Sequence, residues 1–219
     1  MEKFTLSNGV EIPAVGYGTY LTSEKDDGTV AAALAAGYRH FDTASFYGTE
    51  QALGDALKAS GVPREELFLT SKLWKDEMGY ENALAAFERS LQKLGTDYLD
   101  LYLIHWPRPD DLTAEWQQLD RDTWRALEDL YRAGRVRAIG VSNFLPHHLR
   151  SLMKTAEVMP MVNQIEFHPG YPQTYTVEFC KAHGILPEAW SPLGRTRVLQ
   201  DERLAGIAAK YGKSVAQLC

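Results

Sequence analysis

Short apolar segments alternate with segments of helical spacing along most of the chain, and this alternation constrains the fold more than any other feature. Each apolar segment is typical of a buried strand. We therefore predict seven strands, over residues 14–20, 40–44, 67–74, 99–106, 136–144, 161–168 and 185–190. Repeated strand–helix units with near-continuous apolar strands predict a parallel sheet covered by helices.

The intervening segments have the periodicity of amphipathic helices. Leu84, Phe87, Leu91 and Leu94 follow one another at steps of three, four and three residues, which places all four on one helix face. A further helix is expected around residues 198–211, and Ser214 is a candidate cap for another. No linker or change of composition divides the chain, so we expect one domain over residues 1–219.

Seven strand–helix units leave two architectures open, an open doubly wound sheet or a closed (β/α)₈ barrel. A complete barrel needs eight strands and about 250 residues. Here we count seven units in 219 residues. If the fold is a TIM barrel, an eighth strand would fall beyond Cys219, and the chain would contain the barrel without its C-terminal part.

A β-hairpin is predicted before the first unit. Two short segments, residues 4–6 and 10–12, flank the dipeptide Asn8-Gly9. This dipeptide is typical of a type I′ turn, in which both central residues have positive φ. We therefore expect an N-terminal hairpin with Asn8 and Gly9 at the centre of its turn.

Composition and charge exclude several classes of protein. With 23 Lys and Arg against 29 Asp and Glu, the formal net charge is −6, which argues against a general nucleic-acid binder. The sequence contains no apolar run long enough for a membrane span and no N-terminal signal peptide pattern. Two cysteines, Cys180 and Cys219, are too few for a disulfide framework or a cysteine-rich zinc site. We expect a cytoplasmic monomer that binds no metal.

Four ionisable side chains follow consecutive predicted strands where each strand ends. Asp42, Lys72 and His105 lie at the ends of three neighbouring strands, and Tyr47 follows Asp42 by five residues. Because the carboxyl ends of parallel strands meet at one rim, where barrel enzymes place their sites, these four are expected to converge. Taken singly, each has an ordinary structural explanation, and the hypothesis depends on all four occurring together.

Proton donation to a carbonyl is the chemistry that this set supports. A phenol is a weak acid near neutrality, and an ammonium within about 4–6 Å lowers the pKa of the phenol. We therefore interpret Tyr47 as the general acid, with Lys72 acting on its pKa and Asp42 holding Lys72 charged. His105 either forms a hydrogen bond with the substrate oxygen or acts on the tyrosine. No side chain can donate hydride, so a nicotinamide cofactor is required.

Aromatic residues at other strand ends suggest an apolar pocket. Tyr20, Trp74 and Trp106 lie at such ends and are expected to form the substrate wall together with His105. The long irregular stretch 107–118 is interpreted as a binding loop. Its Trp116 is interpreted either as a substrate contact or as a loop anchor.

Six segments resemble the aldo-keto reductases in order and spacing: GYRHFDTASFYGTE, LFLTSKLW, DLYLIHWP, IGVSNF, VNQIEFHP and AWSPLG. The similarity is strongest to bacterial members that act on diketogluconate-type sugars and small aldehydes. It implies a TIM barrel, reduction of carbonyl compounds, and NADPH as cofactor, with NADH possible. The cofactor-binding residues that it implies are Gly18, Thr19, Tyr20, Asp42, Ser142, Asn143, Gln164, Trp190, Ser191 and Leu193.

The family pattern continues into an eighth strand, with a segment for the adenosine 2′-phosphate, which this sequence lacks. We therefore expect weak cofactor affinity and low activity for this chain. Two other functions stay open. One is a Schiff-base lyase with Lys72 as nucleophile, since barrel aldolases place a lysine at a strand end. The other is a barrel that binds the cofactor without catalysis.

Overall fold

The computed structural model describes residues 2–22, 28–107 and 115–219. Its strands are β1 (Lys3–Thr5), β2 (Glu11–Pro13), β3 (Tyr17–Gly18), β4 (His40–Asp42), β5 (Phe68–Leu73), β6 (Leu99–Ile104), β7 (Val136–Ser142), β8 (Val162–Glu166) and β9 (Leu186–Trp190). Its α-helices are α1 (Thr29–Ala35), α2 (Glu50–Ser60), α3 (Tyr80–Leu94), α4 (Trp116–Arg132), α5 (Pro146–Met153), α6 (Thr174–Ala182), α7 (Glu202–Lys210) and α8 (Val215–Leu218).

Strands β3 to β9 form one parallel sheet in which spatial order follows chain order. This confirms the seven predicted strand–helix units. The sheet is curled. The evidence is that the Gln164 side chain on β8 contacts the Asp42 side chain on β4, four strands away in sheet order. An open, doubly wound sheet does not bring such strands together, so the architecture is that of a barrel with seven strands.

Helix α3 shows how the helices attach to the sheet. Phe87, Leu91 and Leu94 are buried and Leu84 is half-buried against the same core, as the spacing predicts. Strands β5 and β6 are buried along their whole length, so they lie at the centre of the core. Gly140 on β7 has no room for a side chain, because a Cβ there would lie 2.6 Å from the Val162 carbonyl oxygen.

The N-terminal hairpin forms as predicted, but its turn differs. Strands β1 and β2 pair with Phe4 opposite Ile12. Of the two central residues only Gly9 has a positive φ, so the predicted type I′ turn is wrong. The Gly9 amide donates to the Leu6 carbonyl, and the Asn8 side chain accepts from the Val10 amide, so Asn8 stabilises the turn without entering the left-handed region.

The hairpin lies against the amino-terminal end of the sheet. The Asn8 side-chain amide donates to the carbonyl of Arg137, at the start of β7. Leu6 and Ile12 are buried in the main core. Both contacts fix the hairpin to this end of the barrel, opposite to the end where the carboxyl termini of the strands meet.

Several predicted boundaries are corrected. The strand predicted over residues 14–20 pairs only at Tyr17–Gly18, because the residues before it are exposed at the sheet edge. The helix expected over 198–211 is a 3₁₀ turn at Arg197–Gln200 followed by α7, which begins where the Asp201 carboxylate caps the amides of Arg203 and Leu204. Ser214 is the N-cap of α8, as predicted, and its hydroxyl accepts a hydrogen bond from the Gln217 amide.

The long loop was predicted over residues 107–118, and α4 begins inside that range, at Trp116. Residues 108–114 of that prediction lie outside the described residues. Within the described ranges, no α-helix has both the length and the apolar character that crossing a bilayer requires. The cytoplasmic location and the monomeric state stay predictions.

Candidate active site

Three of the four predicted catalytic groups meet at the Lys72 ammonium, which is fully buried. Lys72 Nζ donates to Asp42 Oδ1 at 2.5 Å, to the Thr43 carbonyl oxygen at 3.0 Å and to the Tyr47 hydroxyl oxygen at 3.4 Å. Three acceptors match the three hydrogens of an ammonium group. The carboxyl ends of β4 and β5 and the 3₁₀ turn Ser45–Tyr47 supply all of these groups.

Asp42 connects this ammonium to the opposite wall of the barrel. Its second oxygen, Oδ2, accepts a hydrogen bond of 2.8 Å from Gln164 Nε2 on β8. The backbone carbonyl of Gln164 in turn accepts from the Ser142 hydroxyl and from the Asn143 amide. A continuous chain of hydrogen bonds therefore runs from Tyr47 to the ends of β7 and β8.

Lys72 stays protonated in this environment. Burial lowers its pKa, but the charge of Asp42, the proximity of Tyr47 and the hydrogen bond to Asp42 together outweigh burial and raise the pKa above its ordinary value. A charged amine is not a nucleophile. The arrangement thus argues against the alternative in which Lys72 forms a Schiff base.

The electrostatic balance at Tyr47 differs from the sequence prediction. Lys72 lowers the pKa of the Tyr47 phenol, as predicted, through both its charge and its hydrogen bond. Burial is the larger effect, and with the nearby Asp42 it leaves the pKa above 10.0. Periodicity and spacing do not show how deeply a phenol is buried. Lys72 therefore limits the rise caused by burial, and Tyr47 is protonated at neutral pH.

His105 lies immediately after β6, next to Tyr47, with the two ring centroids 5.5 Å apart. Burial, followed by the positive charges of Lys72 and Lys75, lowers its pKa to about 2. His105 is therefore neutral at physiological pH. Its Nδ1 is buried and has no hydrogen-bond partner in the described part of the chain. Since an unpaired buried N–H is costly, this favours the tautomer with the proton on Nε2.

Aromatic rings lie against Tyr47 and His105, and two of them belong to the predicted substrate wall. The Tyr20 ring lies 5.0 Å from that of Tyr47, and the Trp74 ring 4.9 Å from that of His105. Phe46, which sequence reasoning missed, stacks on Trp74 with centroids 3.9 Å apart. Its position next to Tyr47 in the sequence was the available signal. Trp106 follows β6 and is 39% exposed, so it lies at the rim.

Hydroxyl and amide groups stand at the ends of β7 and β8, where the resemblance implied binding of a carboxamide. The Asn143 side chain donates to the His105 carbonyl oxygen at 3.0 Å and accepts from Trp190 Nε1 at 2.9 Å. Asn143 has a φ of 63°, which turns its side chain back across the strand ends. Ser142, Asn143 and Gln164 offer both donors and acceptors, which a carboxamide requires, so this donor set fits a nicotinamide.

The remaining predicted cofactor residues lie on either side of the opening between β3 and β9. Gly18 pairs with Asp42, and the amide of Thr19 donates to the Asp42 carbonyl, so both border the catalytic group. Ser191 and Leu193 follow β9, and Ser191 has a φ of 49°. No contact among the described residues joins Leu193 to the catalytic group.

Trp116, at the start of α4, contacts α5. Its ring packs edge-on to His148 of α5, with centroids 5.2 Å apart. This contact supports the second of the two interpretations, that Trp116 is an anchor between α4 and α5. The structure shows no contact between Trp116 and the substrate wall among the described residues.

Sequence reasoning also missed Glu188, in the middle of β9. Glu188 stands opposite Gln164 in the β8–β9 register, on the same side of the strand as Trp190. The alternation along β9 was therefore sufficient to place it near the site. It went unnoticed because the surrounding segment was interpreted only as an apolar strand.

Comparison with protein families assigns this barrel. The model of the Aldo/keto reductase family matches residues 14–219. The chain belongs to the aldo/keto reductase family. The glyoxal reductase of Bacillus subtilis (strain 168) is 53% identical over 215 residues, covering 97% of this chain and 75% of that protein. The 9,11-endoperoxide prostaglandin H2 reductase of Trypanosoma cruzi is 48% identical, with coverages of 98% and 75%.

Solved structures of aldo/keto reductases share the fold. An aldo/keto reductase from Brucella melitensis superposes with a TM-score of 0.90 at 48% identity, covering 99% of this chain and 82% of that one. A Bombyx mori aldo-keto reductase in complex with NADP gives a TM-score of 0.88 at 36% identity, with coverages of 99% and 78%. The predicted family and barrel class are therefore confirmed, and the chain is an oxidoreductase by family.

Proposed function

We propose that this chain reduces aldehydes and ketones to alcohols with NADPH, and that Tyr47 is the general acid. The observation that carries the proposal is the Tyr47 hydroxyl, 3.4 Å from a buried ammonium and beside a set of groups that fits a carboxamide. The relatives named as reductases and the NADP complex of the Bombyx mori enzyme support the same chemistry.

Tyr47 supplies the proton. The Lys72 ammonium donates to the phenol oxygen, so the phenol hydrogen is left to point at a carbonyl oxygen in the aromatic pocket. NADPH, when bound, supplies the hydride that reduces the carbonyl carbon. As the proton leaves, the negative charge on the Tyr47 oxygen faces Lys72, which stabilises it in a buried site.

Asp42 and His105 position these groups. Asp42 keeps Lys72 charged and directed at Tyr47 through their direct ion pair. His105 is neutral, so it orients the carbonyl by a single N–H and leaves the proton transfer to Tyr47. Because its pKa is about 2, we expect no acid limb from His105 in the pH profile between about pH 5 and pH 8.

The cofactor would lie across the ends of β7, β8 and β9. We assign Ser142, Asn143 and Gln164 to the carboxamide, and the Trp190 indole to a face of the nicotinamide ring. The turn after β9, with Ser191 and Leu193, would follow the pyrophosphate. Residues 18–20 would close the other side of the cofactor, next to Asp42.

The test is the Tyr47→Phe variant, assayed by loss of NADPH absorbance with glyoxal and with benzaldehyde as uncharged probes. General acid catalysis contributes about 10²–10⁴-fold, and we expect kcat/KM to fall by that factor. NADPH binding, followed by quenching of its fluorescence, should be unchanged. Tyr211→Phe, at an exposed tyrosine of the C-terminal region, is the matched control and should keep full activity.

Two outcomes would contradict the proposal. Full activity in Tyr47→Phe would remove Tyr47 from the reaction. Tight NADPH binding by the unmodified chain without turnover of either probe would favour the alternative of a cofactor-binding barrel that does not catalyse.

A further inference from the structure

Glu188 is a carboxylic acid inside the barrel to which the proposed mechanism gives no role. It lies on β9, directly opposite Gln164 of β8, and its side chain is 19% exposed. Its Oε2 is buried without a hydrogen-bond partner in the described ranges, and its Oε1 lies 3.9 Å from His40 Nε2. Glu188 is therefore a second carboxyl group beside the hydrogen-bond chain that ends at Tyr47.

The groups facing Glu188 come from three other strands. Asp42 and His40 lie on β4, Lys72 on β5 and Gln164 on β8. Burial lowers the pKa of His40 to about 4, so His40 is neutral near pH 7 and offers Glu188 no positive charge. The only cation of the group, among described residues, is thus Lys72, which is already paired with Asp42.

Two carboxyl groups and one ammonium cannot all be satisfied in their charged forms. Burial and then the charge of Asp42 raise the pKa of Glu188 to about 7, against the opposing effects of the neighbouring Gln164 side chain and of Lys72. The protonated and ionised forms of Glu188 are therefore both populated near neutrality. Gln164 lies next to both carboxyl groups, since it stands opposite Glu188 in the β8–β9 register and its Nε2 donates to Asp42 Oδ2.

We infer that Glu188 is a positioning residue whose ionisation controls how firmly Gln164 and Lys72 hold Asp42, and through them the proton donor Tyr47. Neutral Glu188 leaves Lys72 to Asp42 and Tyr47 alone. Ionised Glu188 competes for the Gln164 amide and adds a second negative charge near Lys72, so that Lys72 stabilises the Tyr47 phenolate less. This inference rests on the proposed function, because it assigns Glu188 to the same proton transfer.

The direction of the pH dependence follows. The active form is the one with Glu188 protonated, so activity is full below the pKa of Glu188 and declines as pH rises through it. We expect kcat/KM to fall several-fold between about pH 6 and about pH 9, with an apparent pKa near 7. The KM for NADPH should change less than kcat, since Glu188 acts on the proton donor.

The first experiment compares pH profiles of the full chain and Glu188→Gln. A glutamine is neutral and keeps hydrogen-bonding groups opposite Gln164, so the decline should disappear and activity at high pH should exceed that of the unmodified chain. Glu188→Asp should restore the decline, which a purely structural role would not do. Glu178→Gln, at an exposed acid of α6, is the control and should leave the profile unchanged. Identical profiles for Glu188→Gln and the unmodified chain would overturn the inference.

Two spectroscopic measurements separate this inference from the proposed function. Burial raises the pKa of a second acid, Asp120, to about 9, so the infrared measurement is a difference between the full chain and Glu188→Gln. The carbonyl band of protonated Glu188 should be present in that difference near pH 6 and vanish by about pH 9. Phenolate absorbance, as the difference from Tyr47→Phe, should show a lower Tyr47 pKa in Glu188→Gln. Neither measurement requires turnover. If the chain reduces no carbonyl, the proposed function fails, and an absent infrared band or an unchanged Tyr47 pKa overturns the inference independently.

Discussion

The strands of the barrel form two regions that differ in the polar groups at their carboxyl ends, which are charged in one and mainly neutral in the other. Around β4, β5 and β6, the site is built from charges, with an ammonium and a carboxylate in direct contact and a tyrosine beside them. Around β7, β8 and β9, it is built mainly from neutral amides, hydroxyls and an indole, joined to one another. Under the proposed function, proton transfer would use the first region, here called the charged wall (Asp42, Tyr47, Lys72 and His105). Cofactor binding would use the second, the binding wall (Ser142, Asn143, Gln164 and Trp190). The contact between Asp42 and Gln164 joins them.

Backbone conformation differs between the two regions as well. Asn143 follows β7 and Ser191 follows β9, and both have positive φ, as do Arg195 and Thr196 in the turn beyond. Such conformations cost about 1–3 kcal/mol each in non-glycine residues. At the ends of β4, β5 and β6, the described residues with positive φ are glycines, such as Gly48. The binding wall is therefore shaped by its backbone, and the charged wall by its side chains.

The largest expected effect breaks the charged wall. In Lys72→Met, the Tyr47 phenolate loses its cation and Asp42 is left unpaired. We expect kcat/KM to fall by about 10²–10⁴-fold, the range of general acid catalysis, and the free energy of unfolding to fall by about 3 kcal/mol. Lys58→Met, at an exposed position of α2, should change neither. Urea unfolding and NADPH-linked assays measure both effects, and near-normal activity would contradict the role of Lys72.

A second prediction tests how closely β7 packs on β8. Gly140→Ala places a Cβ 2.6 Å from the Val162 carbonyl oxygen and 2.9 Å from Leu103 Cδ2. We expect a loss of about 1–3 kcal/mol in the free energy of unfolding. Gly206→Ala in α7 is the matched control, because no atom lies within 4 Å of its added Cβ, and it should stabilise the protein by about 0.5–1 kcal/mol. Equal effects of the two variants would show that the strands move apart freely.

The smallest expected effect weakens the binding wall alone. Asn143→Gly accepts the φ of 63° but loses the side-chain bonds to His105 and Trp190. We expect the Kd for NADPH to rise about tenfold, equivalent to about 1.4 kcal/mol, with kcat little changed at saturation. Asn143→Ala should lose more stability than Asn143→Gly, because alanine disfavours this φ. A kcat loss as large as that of Lys72→Met would show that the two walls do not act separately.

The charged wall was the more predictable from sequence. Strand parity and order place Asp42, Lys72 and His105 at one rim, since these follow from local pattern alone. The predicted type of hairpin turn was wrong at Asn8, because Asn8 does not have a positive φ and stabilises the turn by accepting a hydrogen bond from the Val10 amide. The predicted lowering of the Tyr47 pKa was wrong, because the net shift depends on how deeply the phenol is buried, which no local pattern shows.

The binding wall was identified by resemblance, and its internal contacts were not predictable. The bond from Gln164 to Asp42 joins residues far apart in the chain, and the curl of the sheet alone brings them together. The alternation along β9 places Glu188 near the site, but its neighbours were not predictable for the same reason, since they come from β4, β5 and β8. The functions of such residues depend on the curl of the sheet, which brings β4 and β8 together.

The N-terminal hairpin, which is bound to the carbonyl of Arg137, has a consequence for how Tyr47 is reprotonated in the proposed reaction. Leu6 and Ile12 are buried in the core at the amino-terminal end of the barrel and block that end, so water would reach the Tyr47 phenol at the carboxyl end of the strands, where the alcohol product would also lie. The Tyr47 phenolate would then be reprotonated only after the alcohol product has left the site. The rate of reprotonation of Tyr47 would therefore be set by the rate at which the alcohol product is released.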